Sequence, residues 1–221
     1  MFWEWPDGLI WRLTHGITER FRKEKYNTFC SLMCPKSDET ILDIGVSRHS
    51  GRSTNFLEMW YPYPEKITAL AVDEENKFLD FKKAFPKVTL VFGDGRGLNF
   101  KDNQFDIVFS NAVVEHAGSV NEQKRFIHEA VRVGKRAFIT TPNHWFPIDA
   151  HTLLPFAHWL PVKYRFPIYR KLGRSYFADI NHLNLLTPRQ FLSLFPSNVN
   201  VRLIRQRILG ITSSMLAVVT K

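Results

Sequence analysis

Cysteine is scarce in this 221-residue chain: only Cys30 and Cys34 occur, separated by three residues. A structural zinc site needs about four ligands. No Cys or His cluster surrounds this pair, so reduced thiols in a cytoplasmic protein are the expectation. Long apolar runs are lacking as well. None reaches the roughly 18 residues needed to cross a bilayer, and residues 1–8 show neither the cationic start nor the apolar core of a secretory signal. Repeats and low-complexity segments are absent. Acidic residues run out in one region: 142–221 holds ten basic side chains against Asp149 and Asp179 alone, a net of +8 out of +9 for the chain. A surface of that kind suits an anionic substrate or an anionic membrane face, and peripheral contact with such a membrane is expected.

The stretch that organises the chain is Thr40-Ile41-Leu42-Asp43-Ile44-Gly45, an apolar run that ends on a carboxylate and a glycine. It has the character of a buried parallel strand opening into a crevice. Four more strands are expected at 67–72, 88–92, 105–110 and 136–140, with helices between them near 51–60, 75–84 and 121–132. An amphipathic helix over 8–33 precedes them, with Leu9, Leu13, Ile17, Phe21 and Phe29 on its apolar side and Glu19, Arg20, Arg22, Lys23, Glu24 and Lys25 opposite. Residues 142–187 break the rhythm with five prolines among many aromatics. A short helix then begins at Pro188 with Thr187 as its cap, and two β-rich runs meet at Gly210 as an antiparallel hairpin. The expected architecture is a Rossmann-like, doubly wound, mostly parallel seven-stranded sheet with helical caps. Its regions are a helical lid (1–38), a cofactor core (39–141), a substrate cap (142–187) and a closing helix and hairpin (188–221).

In an open parallel sheet the carboxyl ends of the strands line one crevice. Asp43 and Gly45, Asp73, Asp94 and Gly95, and Ser110 with Asn111 therefore converge. The loop from Gly45 to Gly51 lacks the G-x-G-x-x-G spacing of a pyrophosphate-binding turn. A carboxylate two residues before its glycine favours a cation, so a ligand with ribose, adenine and ammonium but no phosphate fits best.

Four segments carry a resemblance to a known family: Ile41-Leu42-Asp43-Ile44-Gly45, Ala71-Val72-Asp73, Gly93-Asp94-Gly95 and the run from Phe105 to His116. Over about 40–141 the chain resembles the class I S-adenosylmethionine-dependent methyltransferases, and among them the ubiquinone/menaquinone-type group. The resemblance implies S-adenosylmethionine as cofactor, with Asp43, Gly45, Val46 and Ser47 at its methionine part and Asp73 at the ribose. It also implies Asp94 and Gly95 at the adenine, and Ser110 and Asn111 at the transferring methyl. Ser47 and His49 stand where the family usually has glycines.

Candidate bases for an oxygen or nitrogen acceptor are His116, His144, Asp149 and His151. No metal is implied. The aromatic cap, followed by Lys163, Arg165, Arg170, Lys171 and Arg174, suits a small-molecule or lipid-linked acceptor that is anionic or amphipathic. Two other readings stay open: a non-catalytic partner protein built on the same fold, and a nucleic-acid methyltransferase. Against the latter stand the missing Asn/Asp-Pro-Pro-aromatic motif and the lack of any recognised reader module.

Overall fold

A computed structural model describes residues 9–48 and 54–221, with side chains from Thr18 onward. The seven strands are β1 (Ile41–Ile44), β2 (Ile67–Ala71), β3 (Thr89–Phe92), β4 (Phe105–Asn111), β5 (Gly134–Pro142), β6 (Asn200–Ile208) and β7 (Ile211–Thr220). They form one sheet in the order β3-β2-β1-β4-β5-β7-β6. The first five run parallel, and β7 inserts antiparallel between β5 and β6. Strand order reverses between β1 and β4, so the ligand crevice of such a sheet lies there.

Alternation along the strands sorts side chains onto two faces. Ile41, Ile107, Phe109 and Phe138 face α1 (Leu9–Met33) and α2 (Phe56–Trp60), packing on Tyr26, Phe29 and Met33. Leu42, Ile44, Val108 and Ile139 face α4 (Val120–Val133) and α6 (Pro188–Ser193). Ser119 with Glu122 forms a capping box on α4. The cap expected at Thr187 is present: Thr187 with Gln190 forms a capping box on α6, where Pro188 takes the first turn. Proline there gives up an N–H that has no intrahelical partner anyway.

Several boundaries differ from the sequence expectation. The helix expected from Gly51 is seen from Phe56, behind Asn55, while residues 49–53 lie outside the described ones. The helix expected over 75–84 opens as a 3₁₀ turn, Glu75–Phe78, before α3 (Leu79–Ala84). The second hairpin strand starts at Ile211, directly after the expected junction, because Leu209 and Gly210 both take positive φ (49° and 82°) and make the turn in two residues. Leu9, Leu13 and Ile17 fall outside the described side chains. Further along α1 the buried stripe is Lys25, Tyr26, Phe29 and Met33, so Lys25 moves from the expected solvent side to the sheet.

Phe29 anchors α1. It is fully buried and meets Phe109 and Phe138 edge-to-face at 5.1 and 5.5 Å. Phe29→Ala is expected to cost about 3–5 kcal/mol in denaturant unfolding, the range for a large aromatic lost from a packed core.

Candidate active site

Two carboxyl groups meet at the end of β1. Asp43 points to the α1/α2 face and lies against Glu58 of α2, and both are buried. Among the described residues no hydrogen-bond donor reaches either Glu58 oxygen. Burial and the opposing acid raise Asp43 well above the ordinary carboxylate range. Burial likewise pushes Glu58 up to about 7. A buried acid pair of this kind shares its protons until a cation arrives to balance the second charge. Gly45 follows with φ +95°, and a Cβ there would overlap the Val113 methyls. Only glycine fits that turn. Asn55 clamps the next residues, accepting from the Ser47 backbone N–H and donating to the Ser47 carbonyl, both at 2.8 Å. The gap bounded by Asp43, Gly45, Val46, Asn55 and Asn111 holds about 20 Å³, the room of one water.

The other cofactor candidates lie along the same edge. Asp73, two residues past β2, accepts from Lys77 at 2.6 Å, which lowers its pKa. Asp94 accepts from the Arg96 guanidinium through both oxygens, and Arg96 also reaches Glu122. That grip holds Asp94 below the ordinary range. Beside them opens a cleft of about 240 Å³ lined by Leu70, Phe92, Gly93, Asp94 and Leu98. Gly95 is pressed on Phe126 and Ile44, where a Cβ would stand 2.6 Å from the Phe126 ring. A wider groove, about 730 Å³ between α1 and β6, is lined by neither Asp73 nor Asp94.

Ser110 and Asn111 part company. Ser110 is fully buried on the α4 face and its hydroxyl donates to the Ile44 carbonyl, so it ties β4 to β1 instead of facing the crevice. Asn111 faces the crevice, accepting from Lys25 Nζ at 3.2 Å and Thr140 Oγ1 at 2.8 Å. Burial lowers the Lys25 ammonium to about 8, with partial compensation from Glu115. Sequence reasoning missed Lys25, Asn55 and Glu58.

Three of the four base candidates come together where the cap meets the turn after β4. His151 Nδ1 lies 3.0 Å from Asp149 Oδ1, and the Nε2 atoms of His151 and His116 are 3.0 Å apart. Burial opposes ionisation of Asp149, but bonds from His151 and Thr152 hold it well below the ordinary range. Burial works to lower His151, and Asp149 outweighs it, so its pKa is raised as a carboxylate neighbour requires. His116 is lowered, chiefly by desolvation of its packed ring, one edge of which stays open to solvent. His144 stands apart: no hydrogen bond joins its ring to that cluster among the described residues, and burial beside His158 lowers it to about 4.

Strand order, crevice position and carboxylates at successive strand ends define the class I S-adenosylmethionine-dependent methyltransferase fold. Residues 42–137 match the family model of the methyltransferase domain. A comparison with the curated proteins finds no match. Among solved structures the chain is similar to the PH0226 protein from Pyrococcus horikoshii OT3, with 16% identity over 91% of this chain and 90% of that one, at a TM-score of 0.60. It is similar to a SAM-dependent methyltransferase from Aquifex aeolicus, with 16% identity over 89% of each chain and a TM-score of 0.51. A third, from the SAM-dependent methyltransferases of Methanosarcina mazei, shares 15% identity over 84% of this chain and 92% of that one, at 0.50. The residues fit the S-adenosylmethionine that the sequence resemblance implies: the buried acid pair suits a cation, and Gly45 makes a turn at the strand end that no residue with a Cβ could make beside Val113.

The raised pair has a consequence for stability. The folded state keeps protons on Asp43 and Glu58 that the unfolded state releases at ordinary carboxylate pKa values. Their contribution is full below about pH 4.5 and is lost as pH rises to about 7. Glu58→Gln is expected to gain on the wild type across that window, on the order of 3 kcal/mol. Urea unfolding of both proteins at pH 4.5 and pH 8 checks this; an equal difference at both pH values would rule out the shared-proton pair.

Proposed function

We propose that this protein transfers a methyl group from S-adenosylmethionine to an amphipathic or lipid-linked acceptor with anionic character. S-adenosylmethionine brings an already activated methyl, so the chain's own residues mainly align the acceptor and exclude water. Asp43 and Glu58 meet the cationic methionine end, Val46 and Ser47 border it, Asp73 grips the ribose, and Asp94 with Gly95 borders the adenine. Asn111 and Lys25 hold the acceptor beside the methyl.

The observation that carries the acceptor reading is the cap. Trp145, Phe156, Tyr164 and Tyr176 are each about half exposed, and Trp159 packs between Trp145 and Phe156. Apolar rings gathered in water mark a binding surface rather than ordinary scatter. Phe156 takes φ 58°, a left-handed conformation that costs a phenylalanine about 1 kcal/mol or more while presenting its ring to solvent. His158 and the Trp159 indole fix this loop from beneath by donating to the His144 carbonyl at 2.9 Å. Exposed Lys163, Arg170 and Lys171 of α5 (Val162–Lys171) stand beside it. Among the described residues no helix is long and apolar enough to cross a membrane, so a lipid-linked acceptor would be met from the surface.

Calorimetry with S-adenosylmethionine tests the cofactor half. Binding is expected in the micromolar range with none for NAD, and Asp73→Ala should weaken it by roughly 1–3 kcal/mol, as for a lost hydrogen bond to a charged group. Full affinity in that variant would take Asp73 out of the site.

Vesicle binding tests the acceptor half. Adsorption to anionic vesicles is expected to fall steeply with salt, since exposed charges are screened within about 10 Å at 0.1 M. Equal adsorption to neutral vesicles, or none to either, would reduce the basic face to solvation. Salt-dependent retention on RNA with no adsorption to vesicles would favour nucleic acid as acceptor.

A further inference from the structure

The two facing imidazoles pose a problem of proton placement. His116 Nδ1 lies 2.6 Å from the His182 carbonyl, which can only accept, so Nδ1 carries the hydrogen. His151 Nδ1 lies 3.0 Å from Asp149 Oδ1, an oxygen that also accepts from the His151 backbone N–H, so there too Nδ1 is the donor. In both neutral rings Nε2 is then a bare lone pair, and these two atoms are 3.0 Å apart. Two acceptors at that distance repel unless something positive lies between or beside them.

A third donor atom completes the arrangement. Glu115 is fully buried, and among the described residues its Oε1 has no hydrogen-bond partner while its Oε2 accepts from Thr141 Oγ1 at 3.0 Å. The free oxygen lies 3.9 Å from His151 Nε2, and the three ligand atoms lie within 4.8 Å of one another. Around a tetrahedral ion with bonds near 2.0–2.1 Å, neighbouring ligand atoms stand about 3.3 Å apart, so small side-chain rotations close the set. Each ligand already has an outer partner that fixes its tautomer or orientation: His182 carbonyl for His116, Asp149 for His151, Thr141 for Glu115. Carboxylate–histidine pairs of this kind are how metal-binding imidazoles are aimed. His116 lies at the exposed edge, which gives an ion its way in.

We propose that Glu115, His116 and His151 bind one divalent transition-metal ion, with zinc favoured by two imidazoles and one carboxylate. Three protein ligands leave a coordination position open, the pattern of a functional rather than a purely structural site. Glu115 stands close enough to Lys25 to influence its charge, and Lys25 touches Asn111, so the open position borders the acceptor end. It would take an oxygen donor of the acceptor, a hydroxyl or carboxylate. That role rests on the methyl-transfer reading; the ion site itself does not.

The full chain, stripped with chelator and dialysed, is titrated with zinc by calorimetry and with cobalt by visible absorption. One equivalent of zinc should bind, and cobalt should give the d–d bands of a site with nitrogen and oxygen ligands. His116→Ala, the change at the exposed edge, and His151→Ala should each weaken zinc at least 100-fold. Asp149→Asn should weaken it 10- to 100-fold by loosening His151, and His128→Ala on α4 should leave it unchanged. Absence of saturable one-to-one binding by the wild-type chain would overturn the site, because the two rings would then share a proton. Full affinity in folded His116→Ala and His151→Ala would overturn it too. Calorimetry with S-adenosylmethionine on the metal-free chain separates the two readings: zinc bound without cofactor keeps the ion site and removes methyl transfer.

Discussion

Strand β1 is covered on both faces, and that constraint decides where polar chemistry can stand. All four of its residues are buried, with β2 and β4 on its flanks, α1 and α2 on one side and α4 on the other. An uncompensated polar group inside such a strand costs several kcal/mol, so the interior is restricted to aliphatic and aromatic side chains. Polar groups are left the strand ends. At the carboxyl edge they appear together: Asp43 on β1, Asn111 on β4, Thr140 and Thr141 on β5. The reversal of strand order between β1 and β4 then leaves a gap beside the first two that no crossover helix fills.

The same edge gathers buried ionisable groups that are poorly matched at neutral pH. Asp43 and Glu58 repel, Lys25 holds its ammonium against a neutral amide, and Glu115 keeps an oxygen without a donor. Replacing such groups with apolar ones of like size often stabilises a protein. Their persistence on one face, between α1, α2 and the cap, is what a site for charged ligands requires. A half-buried pair elsewhere is matched: Arg136 meets both oxygens of Glu39 at 2.7 and 2.6 Å.

Much of this was legible in the residues. The strands and their order of ends followed from apolar runs that stop on Asp43, Asp73, Asp94 and Asn111, because a doubly covered strand needs an unbroken run and a crevice needs polar ends. Gly45 was legible from its place after the acid. The groups that were not legible are those fixed by distant packing. Lys25 reads as part of a charged helix face, and only the contact with Asn111, 86 residues away, shows that the helix is rotated to bury it. Glu58 reads as an ordinary helical acid until α2 is set against β1. Ser110 was paired with Asn111 by adjacency, yet neighbouring strand residues point to opposite faces. His151 and Asp149 could be joined at two residues' separation, whereas the meeting of His151 with His116 depends on how the cap folds back. His144 reads as their neighbour for the same local reason and is carried elsewhere by the turn at Asn143.

Charge is thereby sorted across a single crevice. The core from 41 to 141 is nearly neutral in sum, fourteen basic residues against thirteen acidic. Its acids nevertheless converge on the strand ends, while Arg96, Lys77 and Lys135 are drawn outward into surface pairs with 37–62% side-chain exposure. The cap has the opposite sign and few acids to offset it. A cofactor cation therefore meets the low-dielectric acidic pocket, where each charge acts strongly. Under the proposed function an anionic acceptor would meet an exposed basic surface, where charges act weakly singly and steer collectively. On that reading the two ligands would be held by separate surfaces, and the exposed aromatic loop from Trp145 to Trp159 would grip an acceptor with an apolar portion without contesting the cofactor's place.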